Sequence, residues 1–302
     1  MTAVVAASGG TGGGLLAYHF MVNAYEAGTV VAVVAGLVGW FMVVRRQSFV
    51  GHTLAVVSFP GAAAAVWLGV DVTVGYFAAT LLAAAVIAAV PRAAAGRSSP
   101  EEPAVTGTVQ AFALAAGVLF LNLYGGFLTG VTGLLFGTFL GVSDGQVRTL
   151  AAVAAVVVVA LAVVGRPLLF ASVDPDVAQA RNVGVRALSV VFLVLLGATT
   201  AEVSQITGAL LVFALLVMPA AAAQQLTARP VAALAVSTGL AVVVTWAALA
   251  VSYYSTVPVG FSVTTFGFLA YVGAAAWHGL RTWSGARSGA GARARPPQAV
   301  AP

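Results

Sequence analysis

The side chains able to do chemistry are few, and they form three groups. His52 lies six residues before Ser58; Glu202 is followed closely by Ser204, Gln205 and Thr207; and Asp174, Pro175 and Asp176 open a short polar stretch that runs through Ala178 and Arg181 to Gly184. An imidazole can bind a borderline metal ion, but a stable site needs several converging ligands. The chain has only three histidines and eight acids, and it has no cysteine. That leaves no disulfide framework and no thiolate metal site. All thirteen basic residues are arginine, so the P-loop motif, whose lysine reaches nucleotide phosphates, is excluded. No Ser/His/Asp set, carboxylate pair or metal-hydrolase pattern is present, and the chain is expected to supply geometry rather than to break bonds.

The elements that hold these groups are membrane helices. The sequence is 61% hydrophobic and 7% charged, and apolar runs recur at about the 20 residues a helix needs to cross hydrocarbon. Spans are predicted over 27–45, 50–70, 72–90, 104–123, 147–166, 186–203, 205–224, 230–251 and 259–280, giving an all-α polytopic membrane protein of eight or nine transmembrane helices. Residues 1–26 read as a loose N-terminus without a cleaved signal peptide, with an interfacial lead-in from Leu15 to Glu26. Residues 27–281 form the membrane domain, and 282–302 a basic, disordered tail.

Arginine placement sets the orientation. Arg45, Arg46, Arg92, Arg97, Arg166, Arg181, Arg186, Arg229 and the tail arginines all fall on one side, with Arg148 alone opposite. The positive-inside bias then predicts a multi-pass protein of the plasma membrane with a cytoplasmic C-terminus. The net charge of +5 reflects this topology and not nucleic-acid binding. Counting Tyr124–Val142 as a span would reverse everything downstream, so it is expected to be non-spanning or re-entrant. Pro60 and Pro219 fall inside spans, where each removes a backbone donor and is expected to kink or break its helix. Asp174 and Asp176 suit the start of a short helix and Arg181 its end, with Gly184 the expected terminator. Glu202 is expected at a short external loop between two spans, in contact with water, or at an outer gate.

Four stretches together resemble the permeases of the zinc/manganese/iron class of ABC importers: Val43–Gly61 (VVRRQSFVGHTLAVVSFPG), Leu135–Ser143 (LFGTFLGVS), Asp174–Gly184 (DPDVAQARNVG) and Gly208–Ala221 (GALLVFALLVMPAA). Their order and spacing agree with that family from about Phe20 to Gly273. The resemblance implies the ABC importer permease fold, alternating access, a second permease copy, ATP on separate ATP-binding subunits, an extracytoplasmic solute-binding protein and a divalent transition metal as cargo, with no cofactor held by the chain itself. It also implies that Asp174–Gly184 couples to the ATP-binding subunit and that His52 stands at a metal-ligand position. Ser58, on the same helix as His52, and Glu202 with Gln205, polar groups at membrane depth, are expected to border the cargo path beside it.

Two departures bear on the cargo. Where metal-handling members carry an Asp and, four residues later, a His, this chain has His52 and Val56; and Ser255–Gly260 lacks the family's usual acid. A permease for a non-metal cargo therefore stays open. So does a secondary transporter or channel working without an ATPase, although no internal repeat is evident and Glu202 is its one candidate coupling acid.

Overall fold

The computed structural model describes residues 18–89, 102–124, 129–137, 139–209 and 211–293. The expectations for residues 1–17, for Arg92 and Arg97, and for the end of the tail lie outside these. Among the described residues, eight helices are long and apolar enough to cross a membrane. They are α1 (His19–Val44), α2 (Ser48–Leu68), α3 (Val72–Ala89), α4 (Glu102–Tyr124), α6 (Asp144–Val173), α8 (Val185–Thr207), α10 (Pro230–Tyr254) and α11 (Val259–Arg293). Three shorter helices separate them: α5 (Thr129–Phe136), α7 (Pro175–Ala180) and α9 (Val212–Leu226). The 15 residues of α9 rise only about 22 Å, short of the bilayer core, which is why the count falls between eight and nine. The eight residues of α5 rise about 12 Å, so the stretch after Tyr124 does not span.

Several boundaries differ from expectation. The first helix begins at His19, not near residue 27, because Met21, Asn23 and Ala24 are buried and Asn23 donates to the Val142 carbonyl (3.2 Å) and to Asp144 (2.6 Å). The supposed interfacial lead-in is thus the first two turns of a packed helix. At the other terminus α11 continues to Arg293, past residue 282 where a disordered tail was expected. Neither proline breaks its helix: α2 runs through Pro60 and α9 through Pro219. Both rings are buried, and neighbouring helices hold the chain helical despite the missing donor.

The bundle has two ends that its contacts identify. At one, His19 pairs with Asp144 (2.9 Å) and Tyr18 meets the ring of Tyr253 (6.4 Å), joining the starts of α1 and α6 to the end of α10. At the other, Arg45 reaches Ser172 and Ser189, joining the ends of α1 and α6 to the start of α8, and His278, partway along α11, contacts the Gln225 carbonyl at the end of α9 (3.1 Å). Most of the arginines belong to this second end.

Glycines set the tightest contacts, as expected where lipid gives helices no hydrophobic reason to associate. A Cβ on Gly36 would strike the backbone of Thr238 in α10, and one on Gly39 the carbonyl of Leu216 in α9. Ser237 donates to the Gly36 carbonyl (2.8 Å) across the first of these contacts. Gly61 and Gly75 bring α2 and α3 together in the same way, each Cβ position occupied by the other's carbonyl. Two of the three positive-φ glycines among the described residues, Gly137 (φ 81°) and Gly208 (φ 75°), lie back to back, and Ala209 donates to the Leu134 carbonyl (3.2 Å). This junction seats α5 against the break between α8 and α9.

Candidate functional site

His52 sits one turn into α2, half-buried, with its ring 5.0 Å from that of Phe213 at the start of α9 in an edge-on arrangement. Its Nδ1 is buried and has no hydrogen-bond partner. Val56 packs one turn further on, where a second ligand on the same helix face would stand. Next to His52, Thr53 donates to Gln110 of α4 (3.3 Å). Ser58 is fully buried and donates to the Ala55 carbonyl (2.6 Å), so its hydroxyl serves its own helix. Pro60 has no N–H to give the carbonyl of Val56, one turn from His52, so that carbonyl loses its usual helical donor.

Glu202 lies elsewhere. It is completely buried inside α8, with neither carboxylate oxygen hydrogen-bonded, and the Thr199 hydroxyl one turn earlier is also without a partner. This overturns the external-loop reading. The helix continues because Thr200, Ser204 and Thr207 bond back to the carbonyls of Leu196 (2.7 Å), Thr200 (2.7 Å) and Val203 (3.0 Å), absorbing the polarity that resembled a loop. Gln205 turns back to the Ala201 carbonyl (3.4 Å). Ala201 packs with Ala62 of α2 and Tyr76 of α3. Ala62 is ten residues beyond His52, so Glu202 stands about 15 Å further along the bundle axis. The four residues proposed for a path therefore lie at different depths. No group of three or more His, Cys, Asp or Glu side chains converges among the described residues. Around His52 the arrangement can offer a passing cation one imidazole, not a closed cage.

The stretch Asp174–Gly184 links the ends of α6 and α8. Asp174 caps α7 by accepting from Val177 N–H (3.0 Å), Pro175 occupies the first helical position and Asp176 the first turn. Ala178 is buried among Ala171, Val183, Val185 and Leu188, while Asp174, Asp176, Val177, Gln179 and Arg181 are exposed. The helix stops at Arg181, where the chain turns through Asn182 in the left-handed region (φ 57°). Gly184, at φ −70°, precedes α8 and terminates nothing, contrary to expectation.

Arg45 went unnoticed as a site residue, since it stood in an arginine doublet that served only to orient the chain. The structure separates the pair: Arg46 is exposed, whereas Arg45 is 8% exposed. Its guanidinium donates to Ser189 (2.7 Å), Ser172 (3.0 Å) and Gln47 (3.3 Å), and lies 5.2 Å over the Phe192 ring. It therefore pins the α6 and α8 roots of the α7 connection to the end of α1.

Residues 17–278 match the model of the ABC 3 transport family. The manganese import system permease protein ScaB of Streptococcus parasanguinis is 31% identical over 210 residues, 70% of this chain and 73% of that protein. An uncharacterised membrane protein of Synechocystis is 28% identical over 257 residues, 85% and 90% of the two chains. The structure of PsaBC from Streptococcus pneumoniae in complex with Fab superposes with a TM-score of 0.76 at 26% identity, covering 86% of this chain and 92% of the other. With a family match across most of its length and this bundle of membrane-crossing helices, the chain is a multi-pass membrane protein that belongs to the ABC 3 transport family.

Proposed function

We propose that this chain is the membrane-spanning permease subunit of an ATP-driven importer for a divalent transition metal, with manganese first among manganese, zinc and iron. The observation that carries the reading is membership of the ABC 3 transport family together with likeness to a manganese import permease over most of both chains. The arginine-rich end faces the cytoplasm, by the positive-inside bias, and with it the C-terminus. There α7 presents exposed Asp174, Asp176, Val177 and Arg181 to an ATP-binding subunit, which the absence of any lysine makes necessary for ATP hydrolysis. The opposite end receives an extracytoplasmic binding protein. A second copy of the chain completes the path, which alternates its access between the two sides.

On this reading His52 touches the ion in transit, and Ser58, Glu202 and Gln205 border the route. The test is manganese flux into proteoliposomes. Flux is expected only with the ATP-binding subunit and ATP present, and His52→Ala is expected to reduce it without loss of complex assembly. Flux by the chain alone would overturn the reading in favour of a channel or secondary transporter. A permease for a non-metal or chelated cargo is favoured by one observation, the lack of any converging ligand set among the described residues. ATP-dependent complexes that ignore manganese, zinc and iron would establish it.

A further inference from the structure

A groove of about 300 Å³ opens between α1, α6 and α10 near the arginine-rich end. Its floor and walls are apolar, formed by Leu37 and Phe41 of α1, Leu161 and Leu169 of α6, and Leu234 of α10 among others. Three features at this groove are polar, and each is a donor. Trp40 lines it, is 4% exposed, and its indole Nε1 has no hydrogen-bond acceptor. Arg166 also lines it, on an exposed stretch of α6, and no group among the described residues pairs with its guanidinium. The third is the N-terminus of α10. Pro230 takes the first helical position, Arg229 supplies no side-chain cap, and the first backbone bond of the helix is Ala233 N–H to the Arg229 carbonyl. The amides of Val231 and Ala232 are therefore left facing outward with the positive end of the helix dipole behind them. The exposed Arg229 side chain adds a second cation beside Pro230.

A slot that is apolar along its length and lined at one end by donors and cations has the shape and charge of an anionic phospholipid. Basic pockets between membrane helices near the surface hold such headgroups, and an acyl chain gains by burial against Leu and Phe as it would in lipid. We infer that the groove between α1, α6 and α10 is a binding site for an anionic phospholipid, its phosphate held by Arg166 and the α10 N-terminus and an acyl chain lying along α6. A buried indole donor without an acceptor is costly, and a small rotation of Trp40 toward the groove would bring its Nε1 to a headgroup or glycerol ester oxygen. The site needs neither metal nor nucleotide, and none of its lining residues belongs to α2, which carries His52.

The experiment is native mass spectrometry of the full chain, delipidated in mild detergent and exposed in turn to phosphatidylglycerol and phosphatidylcholine. One phosphatidylglycerol per chain is expected to survive under conditions that strip phosphatidylcholine. Arg166→Gln is expected to weaken that retention about fivefold, the usual effect of one basic residue on an anionic headgroup, and Arg166→Lys to restore most of it. Gly165→Leu fills the slot, since a Cβ there has only Phe41 at 3.6 Å, and is expected to abolish retention while the protein still folds. Equal retention of the two lipids, or of phosphatidylglycerol by the Arg166→Gln protein, overturns the assignment. So does efficient disulfide formation between copies carrying Ala162→Cys in this otherwise cysteine-free chain, because the face would then be covered by a second protomer.

Discussion

Replacing Arg45 with Met keeps an unbranched stem of similar length and removes the charge and every donor. Hydrogen bonds to charged groups contribute about 1.5–3 kcal/mol each, and the structure gives this guanidinium two short ones, to Ser189 and Ser172. A cation held over a buried ring adds about 1–2 kcal/mol. Against that, the variant no longer desolvates a charge, which returns several kcal/mol. Ser172 also keeps its own bond to the Leu168 carbonyl (2.5 Å). The balance expected is a loss of about 3 kcal/mol, or about 6–12 °C in melting temperature at the slope of larger soluble domains. The assay is size-exclusion chromatography of heated, detergent-solubilised protein, with Arg46→Gln as the matched control. Arg46 is exposed, and its loss is expected to shift melting by no more than about 2 °C. In the assembled transporter, Arg45→Met is also expected to raise ATP hydrolysis per ion moved, because the roots of the α7 connection are no longer pinned to α1. Equal melting of the two variants, or a Met variant more stable than its parent, would refute the assignment of Arg45 as a tie between α1, α6 and α8.

Glu202→Leu removes two buried oxygens that have no partners, so it is expected to raise stability by about 1–3 kcal/mol in the same melting assay; lower ion uptake by the stabilised protein would mark Glu202 as part of the route. Gly39→Ala drives a methyl into the Leu216 carbonyl and is expected to cost about 1–3 kcal/mol, whereas Gly239→Ala, which meets open space, is expected to gain about 0.5–1 kcal/mol. Asp174→Ala removes the cap of a six-residue helix, worth about 1 kcal/mol. Its expected signature is unchanged melting of the bundle with impaired binding of the ATP-binding subunit, measured by co-purification.

The helices were legible because hydropathy and arginine parity report the same thing, the repeated crossing of a low-dielectric slab. Arginine parity alone told Tyr124–Val142 apart from a span, and the short α5 agrees. What the pattern missed has one physical origin: polar groups satisfied within a helix look, in sequence, like polar groups facing water. The Thr200, Ser204 and Thr207 hydroxyls bond one turn back, so a continuous helix resembled a loop and Glu202 was misplaced. Similarly His19 and Asn23 resembled an interfacial lead-in because their partner, Asp144, lies more than a hundred residues away. The prolines were visible, but their consequence was not, since local chemistry says only that a donor is missing and the surrounding packing decides whether the helix survives. Of the candidate site, the residues could be named from sequence and their depths could not. Periodicity fixes a face of one helix, while the separation of His52 from Glu202 depends on how α2 and α8 cross.

Where glycine lets one backbone rest on another, no cushion of side chains remains to permit sliding, and the joined pieces must travel as one. Gly36 and Gly39 weld α1 to α10 and α9, and Gly61 with Gly75 welds α2 to α3, so each of these two groups of helices behaves as a stiff unit. Across the seam between them runs a softer contact, ring against ring, where His52 meets Phe213. A rearrangement that separates α2 from α9 separates these two rings with them, which makes the imidazole a gauge of whether that contact is open or shut.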